Sequence, residues 1–124
     1  MTISSPADLA AIAENLEGVD RLAIVDFDHL GAFTDGDPEM EAELSDLFLT
    51  TTRRYLSAMQ TALDKEQAWS AEAHALKGAS SNFGACRVAA LAREAEFEPP
   101  SSARLEVLRL AIADVASLFA RRGA

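Results

Sequence analysis

A chain of 124 residues, nearly half of them apolar and a quarter charged, has the length for one domain around a single hydrophobic core. Its 20 acidic and 11 basic side chains give a formal charge of −9, which repels phosphate backbones and anionic lipid and argues against nucleic acid or a membrane surface as partner. The one cysteine, Cys86, allows no internal disulfide and no thiolate cluster for a metal, and it fits the reducing cytosol, the expected location.

Alanine and leucine are abundant and β-branched residues sparse, which favours helices over strands. The opening residues lack the basic and apolar regions of a signal peptide. They read instead as a short helix capped by Ser5, with Pro6 in its first turn and Gly18 past its end. Residues 1–25 are expected to form an N-terminal helical extension, and 26–122 the main domain. The compact apolar segment 22–33 reads as a turn capped by Asp26 or Asp28 and a short helix through Phe33, with a strand over 22–25 as the alternative.

Asp37 and Pro38 open the clearest helix, which runs to about Asp64. Met40, Leu44, Leu47, Phe48, Thr51, Tyr55, Met59 and Leu63 recur at helical spacing and are expected to face the core. A second long helix is expected from Lys65 or Glu66 to Phe83, ended by Gly84. A third spans 85–97 with Val88, Leu91, Ala92 and Ala95 inward, and Pro99 and Pro100 stop it. Ser101 or Ser102 caps the last helix, striped by Leu105, Leu108, Ile112, Val115 and Phe119. The fold class is therefore all-α: an antiparallel four-helix bundle with an additional short N-terminal helix or helices.

Residues 71–85, AEAHALKGASSNFGA, carry the chemistry. At about 100° per residue, Lys77, Gly78 and Ser81 fall within roughly 60° of His74. Trp69, Ala73, Leu76, Ala79, Ser80 and Phe83 fall on the far side of the helix. Burial of Trp69, Leu76 and Phe83 fixes the rotation and turns the imidazole to solvent. Gly78 costs about 1 kcal/mol relative to alanine inside a helix. Since it points away from the core, its use is clearance beside the imidazole. The Lys77 ammonium can neutralise phosphoryl oxygens on the same face. His29 is the other histidine; it reads as structural, and its distance in sequence from His74 gives no metal-ligand spacing, so no metal site is expected.

The run His74-Ala75-Leu76-Lys77-Gly78-Ala79-Ser80, followed by Asn82-Phe83-Gly84-Ala85, resembles the signature of histidine-containing phosphotransfer (HPt) domains of bacterial phosphorelays, roughly H-x-L-K-G-[SA]-[SA], then an apolar residue and G-A. The similarity extends over about residues 26–120. It implies that His74 is phosphorylated on Nε2, that Lys77 helps hold the phosphoryl group, and that Gly78 admits the receiver's aspartate. It implies response-regulator receiver domains and a hybrid histidine kinase as partners. Ala75 and Ala79 stand where Thr and Ser are common in the family.

A docking surface is expected around His74, formed by Ser70, Ala71, Ser81, Ala85 and Val88, with Arg87 meeting an acidic rim. No nucleotide-binding loop is present in the sequence, so the chain is expected to be a relay intermediate without kinase activity of its own. It is expected to bind no cofactor, Mg²⁺ belonging to the receiver, and to be monomeric. The alternative is a helical module that binds receivers without taking phosphate.

Overall fold

A computed structural model describes residues 21–122, and the helix expected over residues 5–18 lies outside them. Five helices follow in order: α1 (Phe27–Thr34), α2 (Pro38–Asp64), α3 (Ser70–Phe83), α4 (Cys86–Glu96) and α5 (Ser102–Arg122). Helices α2 to α5 pack as a ring in which each touches the next and α5 returns to α2, with α1 against α2 at one end. This is the expected bundle, and among the described residues there is no strand at 22–25 or elsewhere.

The caps explain the boundaries. The Asp26 carboxylate accepts from the amides of Asp28 and His29 to start α1. The Asp37 carboxylate accepts from the Glu39 amide, with Pro38 in the first turn of α2. The Ser101 hydroxyl accepts from the Arg104 amide at the start of α5.

Helix α3 begins at Ser70 and not at residue 65 or 66. The reason is at the end of α2: Glu66 takes a left-handed φ of 55°, and the Lys65 and Gln67 amides turn back to the carbonyls of Thr61 and Ala62. Helix α4 is one residue shorter at each end than expected, at Cys86–Glu96.

The core unites Met59 of α2, Leu76 of α3, Val88 and Ala92 of α4, and Leu105, Leu108 and Val115 of α5, all at or below 1% exposure. Phe48 stacks on Phe83 at 4.4 Å and ties α2 to α3. On α2 the buried stripe is Ser45, Phe48, Leu49, Thr52, Leu56, Met59 and Ala62. It is rotated from the expected stripe, and Met40 and Leu47 are exposed.

Helix α1 is fastened to the C-terminal end of α3. The Asp26 amide donates to the Gly84 carbonyl at 2.8 Å. His29 Nε2 lies 2.9 Å from the Asn82 carbonyl; a carbonyl only accepts, so the ring donates there and His29 is structural. Gly84 is held at φ +97°, and a Cβ there would sit 3.1 Å from the Asp26 carbonyl oxygen. Gly84→Ala is therefore expected to cost about 2 kcal/mol, read as a fall of about 10 °C in Tm by circular dichroism. An unchanged Tm would show that the turn relaxes freely.

Candidate functional site

Ala73, Leu76 and Ser80 are fully buried and Phe83 nearly so, which fixes the rotation of α3. His74 sits on the opposite face with its side chain 63% exposed. Trp69, just ahead of α3, is 1% exposed and donates from Nε1 to the Ala95 carbonyl at 2.9 Å. That bond joins the start of α3 to the end of α4 and places Glu96 beside His74.

His74 Nδ1 lies 2.8 Å from Glu96 Oε1. A carboxylate can only accept, so Nδ1 carries the proton. In the neutral ring the lone pair then resides on Nε2, the nitrogen that Glu96 leaves free. Lys77 Nζ lies 3.9 Å from the other oxygen of the same carboxylate. Glu96 is only 16% exposed, and its Oε2 has no hydrogen-bond partner. One anion thus holds the imidazole and draws in the ammonium one turn further along α3.

Gly78 borders His74 on the other side. A Cβ built there would meet nothing within 4 Å, so no packing contact inside the molecule requires the glycine. Beyond it the surface becomes apolar. An open groove of about 580 Å³ runs between α1, α2 and α3, lined among others by Phe33, Met40, Leu44, Leu47, Ala79 and Asn82. Phe33 and Leu47 are 64% and 62% exposed, large apolar side chains in water. Ala79 and Asn82 give α3's part of the groove wall, and Asn82 lies roughly 80° round α3 from His74 and about two turns further along.

The residues singled out in the sequence fall into two groups. Ser70, Ala71 and Ser81 are exposed on the His74 face, with Lys77 and Gly78 half-buried among them. Ala85 and Val88 are fully buried, because the tight turn at Gly84 folds α4 directly onto α3; they belong to the core and not to a docking surface. Arg87 donates from Nε to the Leu22 carbonyl at 2.7 Å and holds the segment leading into α1, which removes it from an open rim.

Two features had no reading in the sequence. The apolar groove depends on how α1 lies across α2. Glu96 is distant from His74 in sequence, although counting outward from the Gly84 turn along two antiparallel helices brings the pair level. Among the described residues no group of three or more His, Cys, Asp or Glu side chains could hold a metal ion, and no helix is long and apolar enough to cross a membrane.

Comparison with curated proteins and with solved structures gave no match. A family model described as "Hpt domain" matches residues 43–118, which takes in α3 and α4 whole with most of α2 and α5. Hpt domains are phosphotransfer carriers of phosphorelays that interact with receiver domains and kinases, and are not autonomous kinases. With an exposed imidazole at the centre of a match spanning more than half of its length, the chain belongs to the Hpt domain family.

Proposed function

We propose that this protein takes a phosphoryl group onto Nε2 of His74 from the aspartyl phosphate of a receiver domain and passes it to the aspartate of a second response regulator. The observation that carries the reading is the His74–Glu96 bond at 2.8 Å, which leaves Nε2 unprotonated in the neutral ring and open to solvent. In the forward step the Nε2 lone pair attacks phosphorus in line. The P–O bond to the receiver's carboxylate breaks, and its electron pair stays on that carboxylate. Nδ1 keeps its proton, so the phosphorylated ring is a cation. The return step reverses each of these movements.

Phosphoryl transfer chiefly needs alignment and charge neutralisation. Lys77, loosely paired at 3.9 Å, is placed to turn from Glu96 to the phosphoryl oxygens. The receiver supplies its own acidic pocket and Mg²⁺. The donor upstream is a hybrid kinase, and this chain works as an intermediate between receivers. The groove beside Gly78 is the surface on which an apolar element of the receiver rests, with Phe33 and Leu47 as its contacts.

Incubation with a labelled phospho-receiver is expected to give a label on this chain that is lost in acid and kept in base, as for a phosphoramidate bond. Binding of the receiver without any such label would favour the inhibitor or scaffold alternative. Gly78 variants separate access from stability. Gly78→Ala, with its Cβ in open space, is expected to raise stability by up to about 1 kcal/mol in urea denaturation. Gly78→Trp is expected to fold as well and to slow transfer about tenfold. Unfolding of the Trp variant, or undiminished transfer by it, would remove the clearance role.

A further inference from the structure

We infer that the charge of Glu96, and not only its hydrogen bond, keeps the proton on Nδ1 of His74 while the ring is phosphorylated, so that Glu96 acts as a positioning residue that shortens the life of the phosphohistidine. The inference rests on the phosphotransfer reading above and deepens it. It turns the site into one built for rapid onward transfer rather than storage.

The chemistry follows from the leaving group. When a phosphoryl group departs from a ring whose Nδ1 is protonated, the P–N bond breaks, its electron pair returns to Nε2, and the ring leaves as neutral imidazole. Without that proton it would have to leave as an imidazolate anion, a far poorer leaving group. Whatever stabilises the protonated ring therefore speeds departure.

Glu96 is placed to do this. Its Oε1 is 2.8 Å from Nδ1. It is only 16% exposed, so water screens it less than a surface carboxylate. Being a carboxylate it can only accept, which imposes one tautomer on the free ring; an amide at this position could equally donate and select the other. The charged group against the ring is Glu96 from α4, with Lys77 from α3 itself 3.9 Å from the same carboxylate, and among the described residues no other ion pair reaches His74. When Lys77 turns to the phosphoryl oxygens, Glu96 loses its distant cation and faces the imidazolium alone.

The test is Glu96→Gln, which keeps the shape and removes the charge. Phosphoramidate, a small-molecule donor, loads His74 without a protein partner, and His74→Gln reports any label taken by His29. The Glu96→Gln phosphohistidine is expected to live about threefold to tenfold longer near neutral pH, the difference between a charge-assisted and a neutral hydrogen bond. The pH at which its loss is half-maximal should fall. Transfer to a receiver should slow by a similar factor.

A lifetime and pH profile equal to wild type would overturn the inference, as would a slower transfer with an unmoved profile, since that is what a purely structural role gives. If phosphoramidate loads His74 and no receiver exchanges phosphate with it, the phosphotransfer reading falls while the charge effect of Glu96 is still measured. A wild type that takes label from neither donor overturns both.

Discussion

A His74→Gln variant is expected to take no label from a phosphorylated receiver while folding as well as the wild type. Glutamine has nearly the reach of histidine, yet its amide nitrogen has no available lone pair, so no N–P bond forms. The substitution leaves the core untouched, because the imidazole is 63% exposed and its hydrogen-bond partner among the described residues is the Glu96 carboxylate. Surface changes of this kind alter stability by within about 0.5 kcal/mol. The measurement is label retained on the chain after transfer, beside a denaturation curve that overlays the wild type. Equal labelling of the variant would take His74 out of the chemistry.

Trp69→Ala is expected to give the largest loss of stability of any substitution considered, about 4 kcal/mol in urea denaturation followed by circular dichroism. The indole is 1% exposed, and its removal opens a cavity where the start of α3 meets the end of α4. It also removes the shorter of the bonds to the Ala95 carbonyl, which keeps the Glu98 amide at 3.3 Å. Since small domains are stable by only about 5–15 kcal/mol, such a variant sits near the edge of folding. Trp69→Phe separates the two effects. It keeps most of the packing, loses the hydrogen bond, and should cost about 1 kcal/mol. Because Glu96 follows Ala95, it should also loosen the carboxylate from His74 and slow transfer. A Phe variant with wild-type transfer would show that Glu96 is held in place by other contacts.

What was legible in the sequence was what local chemistry determines. Asp37 and Pro38 mark the start of α2 because a carboxylate cap and a fixed proline φ act within a single turn. The outward turn of His74 was legible because Trp69, Leu76 and Phe83 leave α3 one way to bury its apolar side. The face of α2 was misread because that helix carries apolar residues on two sides. Leu49, Leu56 and Met59 fill the core, while Met40 and Leu47 line the groove, and periodicity alone does not rank one stripe above the other. The start of α3 was misread because no side chain caps it: Trp69 holds that position without a capping bond. Ala85 and Val88 looked available because they neighbour the His74 face in sequence, but the left-handed turn at Gly84 swings them beneath α3. Glu96 was invisible for the converse reason, being brought to His74 by the return of the chain.

The anchoring of Trp69 has a practical corollary. It is the chain's single indole, screened from water and bonded to the carbonyl that immediately precedes Glu96. Its near-ultraviolet emission comes from one known place and carries no background from other tryptophans. A change in brightness or wavelength on loading His74 would report the movement of the end of α4 in real time, with no dye attached.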